Sequence, residues 1–92
     1  MYKIVYTNRM KKDVRRLQKR GKNLSKLIDV LNLLQIGEIL PENYCDHQLN
    51  GDLKDFRECH IESDWLLIYQ IRENELILSA TATGTHADLF GD

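Results

Sequence analysis

His47, His60 and His86 are the three histidines of the chain, and each falls at a loop or strand end rather than on an apolar helical stripe. Asp64 follows His60 by four residues across a Glu62-Ser63 turn, which can bring both to one end of a sheet. Arg57 precedes this group, and Trp65 and Phe90 flank it in sequence. Loops and strand ends are where a rigid scaffold presents functional side chains. These residue types suit metal-free cleavage of RNA. A ribose 2′-OH must lose a proton to attack the adjoining phosphate, the departing 5′ oxygen must gain one, and the crowded phosphorane needs positive charge beside it. Histidine serves either proton role near neutral pH, because its unperturbed pKa is about 6.5. A carboxylate can orient or charge such a histidine or act as the base itself. Arginine can stabilise the transition state through forked hydrogen bonds, and an aromatic ring can hold a splayed base by stacking.

Each residue also has a plainer reading. His47 can be an ordinary loop histidine and His60 a strand histidine with a half-buried ring. Trp65 and Phe90 are, by residue type, more often core than stacking platforms. Arg57 can simply pair with Asp55 or Glu58. Three histidines and one aspartate could in principle hold zinc, but no HExxH or CxxC pattern supports a metal site, and no cofactor is implied. Cys45 and Cys59 lack metal-ligand spacing and read as two free, inert thiols.

The elements that must position these groups follow from periodicity. Residues 2–6 alternate and are rich in aromatic and β-branched types, so they predict a strand. Thr7 or Asn8 can cap the helix that follows, whose apolar stripe is Met10, Val14 and Leu17. Gly21 suits its C-terminal stop. Asn23 can cap a second helix with Leu24, Leu27, Ile28, Leu31 and Leu34 on one face, ending near Gly37. So short a joint predicts a helical hairpin. Breakers dominate residues 37–52, which read as a connecting loop. Strands follow at 53–61, 65–71 and 76–83, the second a continuous apolar run expected to be buried on both faces. Glu73-Asn74 makes the turn between the last two. Thr85 and Asp88 have capping-box spacing, with Asp in place of Glu, and can start one last helical turn. The order β-α-α-β-β-β predicts an α+β fold, an antiparallel meander sheet packed on a helical hairpin.

Length and charge bound the rest. The 92 residues make one domain, 1–92, with a modest core. No apolar run is long enough to cross a bilayer, and the strand-like start is not a signal peptide, which favours a cytoplasmic protein. The net charge of −1 hides a polarity. Residues 1–26 hold ten basic side chains against Asp13 alone, whereas the remainder holds three against thirteen acids. Such asymmetry points either to a polyanion or acidic protein partner, or to a solvated helix face paired with the acidic half.

The stretch Asp46-His47-Gln48-Leu49-Asn50-Gly51 resembles the D-H-x-L-x-G segment of the YafQ branch of the RelE toxin superfamily. Phe56 to Trp65 is similar to that family's aromatic-R-[DE]-x-H-x-x-x-D segment, with the Trp that many members carry. Residues 66–69 match its L-L-[IV]-Y strand, and Gly84 to Phe90 its G-[TS]-H-[AS]-x-L-F ending. The N-terminal strand and basic hairpin fit the same template, so the resemblance spans essentially the whole chain. One position departs from it: Ser63 stands where many relatives have Pro. The resemblance implies a microbial-RNase-like fold, cleavage of mRNA within the translating ribosome, and inhibition by a cognate antitoxin. It places His47, His60, Asp64 and His86 at catalytic positions and Arg57, Trp65 and Phe90 at supporting positions around the phosphate and bases. It also gives the basic helices a purpose, docking on ribosomal RNA through Lys11, Lys12, Arg15, Arg16, Lys19 and Arg20. His86 is then the expected general acid, with the base sought among His47, His60 and Asp64. Two other classes stand beside this reading: a toxin of the same fold acting on DNA gyrase without nuclease chemistry, and a non-enzymatic module binding nucleic acid or a partner through the basic hairpin.

Overall fold

A computed structural model describes residues 1–91. Strand β1 (Lys3–Tyr6) leads into helix α1 (Asn8–Lys19), and α2 (Ser25–Gln35) follows after a short joint. A two-residue strand β2 (His47–Gln48) then precedes β3 (Arg57–Glu62), β4 (Trp65–Arg72), β5 (Ile77–Gly84) and a closing helix α3 (His86–Phe90). The five strands form one sheet in the order β1-β5-β4-β3-β2. Strands β3 to β5 are the expected antiparallel meander, and β2 extends it antiparallel to β3. Strand β1 adds a parallel pairing with β5 that the local pattern did not reveal. No helix among the described residues is long and apolar enough to cross a membrane.

The helix ends follow from their capping residues. The Thr7 hydroxyl accepts the Met10 amide at 2.9 Å, so Thr7 is the cap of α1, and Gly21 takes the left-handed backbone that ends it. Asn23 sits one residue outside the assigned cap of α2 but still accepts the Ser25 amide at 3.1 Å.

Both helices share one core with the sheet. Met10 and Leu17 from α1 and Leu27, Val30, Leu31 and Leu34 from α2 meet Cys59, Ile61, Trp65, Leu67, Tyr69, Leu78 and Ala80. Each fully buried large side chain contributes about 1.5–3 kcal/mol by leaving water. The buried face of α2 is rotated from the expected one. Val30 is inside, and Ile28 is 53% exposed. Leu27, Leu31 and Leu34 belong to the expected and the observed face alike, so only the position of the sheet decides between Ile28 and Val30. In α1 the surprise is Asp13, the lone acid of the basic segment, which is 1% exposed. It accepts Arg9 Nε at 3.1 Å, an Arg16 guanidinium nitrogen, and the Thr83 amide at 3.1 Å. A buried carboxylate with that many donors joins α1 to β5 rather than costing stability.

The short strand β2 corrects the reading of 37–52 as loop throughout. Two residues flanked by breakers carry no alternation, yet His47 pairs with Glu58 and Gln48 with Arg57. Left-handed backbone at Cys45 (φ 50°) and one turn of 3₁₀ helix at Glu42–Tyr44 swing the chain into that pairing.

Candidate active site

Side chains alternate across a strand, so β3 divides its residues between two faces. Cys59 lies in the core beneath the helices, and Arg57 shares its parity. Glu58 and His60 therefore point to the opposite, helix-free face. Pairing of β2 with β3 brings His47 onto that face directly across from Glu58. The turn after β3 supplies Asp64, and α3 supplies His86 at its first residue. His60 and His86 have ring centroids 6.0 Å apart, and the Phe90 ring lies 6.5 Å from that of His86, one turn along α3. The structure thus brings together His47, His60, Asp64, His86 and Phe90, the last 42% exposed.

Each imidazole is tied by the same atom. His47 Nδ1 lies 2.7 Å from the Cys45 carbonyl, and His60 Nδ1 lies 3.3 Å from the Ser63 carbonyl. His86 Nδ1 lies 2.7 Å from Asp64 Oδ1. A carbonyl or carboxylate oxygen can only accept, so Nδ1 carries the hydrogen in all three rings and Nε2 is the nitrogen left for proton transfer. The sequence allowed Asp64 and His60 to share one end of the sheet, and they do. The Asp64 carboxylate itself turns to His86, whose backbone amide also donates to Oδ1 at 3.0 Å. Those two bonds, the backbone one first, hold the Asp64 carboxyl below the ordinary carboxylate range. A carboxylate so engaged is placed to orient His86.

Glu58 is the residue that sequence reasoning missed. Its carboxylate is only 6% exposed and stands 3.9 Å from His47 Nε2 and 3.7 Å from His60 Nε2. The signal was half present, because residues 58 and 60 must share a face. The other half, β2 laid alongside, was not legible.

Two expected supporting residues lie elsewhere. Arg57 is on the helix side of β3, where Nη2 donates to Asp46 at 3.1 Å, and the Tyr69 hydroxyl donates to the same carboxylate at 2.6 Å. This strut pins the residue before His47 and so holds His47 toward the other face. Arg57 positions the site from behind and does not face it. Trp65 is fully buried in the core, where its indole N–H donates to the Thr83 hydroxyl at 2.9 Å. A ring with no exposed surface cannot stack on a base. Both cysteines are free, Cys45 exposed and Cys59 buried. Burial, with Asp46 and Glu58 nearby, pushes the Cys59 thiol up to about 12.

Helix α3 is held by the basic helix. Thr85 and Asp88 form the full capping box, with the Thr85 hydroxyl accepting the Asp88 amide and Asp88 accepting the Thr85 amide, each at 3.0 Å. Arg20 forks onto the same carboxylate at 2.6 and 3.0 Å, and Arg9 Nη2 reaches the Asp88 carbonyl at 3.1 Å. The Arg20 fork, ahead of the Thr85 amide bond, drives the Asp88 carboxyl far below its usual range. Of the six residues expected to dock on RNA, Arg16 and Arg20 are therefore engaged by Asp13 and Asp88. Lys11, Lys12, Arg15 and Lys19 are exposed.

Fold and site together define a small α+β protein with three histidines clustered on one open face and a strongly basic helix at its back. The particular family is fixed by comparison with known proteins. The model of the family described as "Bacterial toxin of type II toxin-antitoxin system, YafQ" matches residues 2–91, and the chain belongs to that family. It is 43% identical over 89 residues to the mRNA interferase toxin YafQ of Escherichia coli K12, covering 96% of this chain and 95% of that protein. The crystal structure of YafQ from E. coli BL21(DE3) superposes with a TM-score of 0.91 at 39% identity, over 99% of this chain and 100% of that one. YafQ in the E. coli DinJ–YafQ complex gives 0.89 at 40% identity, with the same coverage.

Proposed function

We propose that this chain is an endoribonuclease toxin of a type II toxin–antitoxin system, an mRNA interferase that cleaves mRNA on the translating ribosome and so stops translation. The observation that carries the chemistry is the common anchoring of His47, His60 and His86 through Nδ1, which leaves three Nε2 atoms for proton transfer on one open face. Nε2 of His47 or His60 takes the proton of the 2′-OH. The 2′ oxygen bonds to phosphorus, the bond from phosphorus to the 5′ oxygen breaks, and protonated His86 gives its Nε2 proton to that oxygen. The products are a 2′,3′-cyclic phosphate and a 5′-hydroxyl, with no metal step. Asp64 holds His86 in the tautomer and orientation the acid needs, and the Glu58 carboxylate stands near both candidate bases, ready to stabilise the one that gains the proton.

The exposed Lys11, Lys12, Arg15 and Lys19 supply a docking face for ribosomal RNA. A cognate antitoxin is the protein partner, by analogy with the E. coli DinJ–YafQ toxin–antitoxin complex. The site of action is the cytoplasm, where translated mRNA is found.

The experiment is single-turnover cleavage of one mRNA with and without ribosomes, by the native chain and by His86→Ala. Native cleavage should require ribosomes. The variant should lose roughly 10²- to 10⁴-fold in rate with little change in ribosome affinity. A phosphorothiolate substrate, whose leaving group needs no proton, should recover much of that loss. A native rate for His86→Ala, or no recovery on the phosphorothiolate, would overturn the acid assignment. Intact mRNA under all conditions would overturn the nuclease reading itself.

A further inference from the structure

Beyond the histidines, the same face carries a second feature. A cavity of about 400 Å³ opens beside α3. Its floor is Ile68 and Ala82 on the central strands, and its walls include Leu53 and Phe56 from the segment before β3, Phe90 from α3, and Arg9 from the start of α1. It adjoins the site directly: Ile68 is the register partner of Glu58, and Phe90 lies against His86. The lining is mostly apolar, with two aromatic rings, and is open to solvent on a face that also carries titratable groups. A sugar or phosphate would leave such walls wet, whereas a nucleobase offers them two apolar faces.

Arg9 adds the matching charge. Its Nε is held by buried Asp13 and its Nη2 by the Asp88 carbonyl. Among the described residues Nη1 makes no hydrogen bond. The guanidinium is thereby fixed in the lining of an apolar slot with one donor nitrogen left over, which suits a phosphate next to a seated base.

We infer that this cavity seats the base of a nucleotide adjoining the scissile phosphate, gripped by Phe56, Phe90 and the Ile68–Ala82 floor, while Arg9 holds a neighbouring phosphate. This rests on the ribonuclease reading above and extends it to residues that the histidine motifs do not include. Such a seat grips a base by its faces more than it reads its edges, so it supplies affinity and alignment for every base, in proportion to stacking area.

The test uses the full chain and ribosomes programmed with mRNA in which either nucleotide adjoining the scissile phosphate is abasic. Native protein should lose roughly 10- to 100-fold in cleavage on one of the two abasic substrates and little on the other. Ala82→Leu, which fills the floor, should lose a similar factor on normal mRNA and nothing further on the sensitive abasic one. Leu53→Ser, on a 3₁₀ turn outside the strands, should show the same pattern at smaller size and decides the matter if Ala82→Leu does not fold. Native cleavage of both abasic substrates at the normal rate would overturn the seat alone. So would a variant deficit that persists in full on abasic mRNA. Absence of cleavage on every substrate would overturn the nuclease reading and the seat with it.

Discussion

His86 donates Nδ1–H to a carboxylate, whereas His47 and His60 donate theirs to backbone carbonyls. That difference separates one histidine, bonded to a carboxylate, from two whose Nε2 atoms both lie near Glu58. Asp64→Ala should therefore lower single-turnover cleavage toward the level of His86→Ala. Asp64→Asn, whose amide oxygen still accepts both His86 bonds, should recover part of the rate. Equal rates for the two variants would mean that Asp64 acts by charge alone. Trp65 makes the opposite case, a residue that matters through packing. Trp65→Phe loses the bond to Thr83 and some core volume, so it should reduce unfolding free energy by about 1–3 kcal/mol in urea titration. Its cleavage rate per folded molecule should stay near native. A large loss of rate with unchanged stability would return Trp65 to the reaction.

At the scale of elements, the site depends on a five-residue helix that is too short to be stable by itself. Its N-terminal box, the Arg20 fork and the Arg9 contact fix the angle at which His86 leaves β5. Gly84 is where that angle is set. Its φ of +155° lies in a region that side chains rarely adopt, and a Cβ there would stand 2.8 Å from Asp88 Cβ. Gly84→Ala should displace Asp88, loosen the box and lower cleavage by up to about 10²-fold. Arg20→Gln should act in the same direction through the lost fork. In both variants the His86 resonances should report altered ring surroundings while the melting of the sheet changes little. Unperturbed His86 resonances together with lost activity would place the defect elsewhere.

Across the whole molecule, the charge polarity does two jobs. Part of the basic segment turns inward to the acidic half. Lys22 and Lys26 hold Glu62 at 2.8 and 2.6 Å, and Arg20 holds Asp88. Lys11, Lys12, Arg15 and Lys19 face solvent. The two lysines, Lys22 first, lower the Glu62 carboxyl to about 2 from an ordinary value of 4.5. A carboxylate with a depressed folded-state pKa contributes stability that is fully present above about pH 4.5 and is lost as pH falls toward 2. Glu62→Gln should thus flatten the loss of thermal stability across that window and leave the slope near neutrality unchanged. Because the pair is exposed, high salt should shrink the difference. An acid limb identical to native would show that the lysine contacts carry no stability.

The sequence by itself determined most elements and a set of candidate polar groups. Period-two and period-3.6 patterns are local, so β1, both helices, the buried run of β4 and the Thr85–Asp88 box could be read from neighbours along the chain. Three histidines and an aspartate outside the apolar stripes were likewise visible as a set. Tertiary structure decided which group serves which. Strand β2 exists only because β3 lies beside it, and without that pairing nothing relates His47 to Glu58. Asp64 stands nearest His60 in sequence but reaches His86 in space, because α3 folds back to the turn after β3. Trp65 and Arg57 occupy motif positions, yet the parity of their strands sends them to the helix side. Asp13 reads as one acid among ten bases and becomes a buried hub only when β5 presents the Thr83 amide to it. These relations are set by pairing, parity and the direction of return of the chain, none of which is stored in the spacing of residues along a single element.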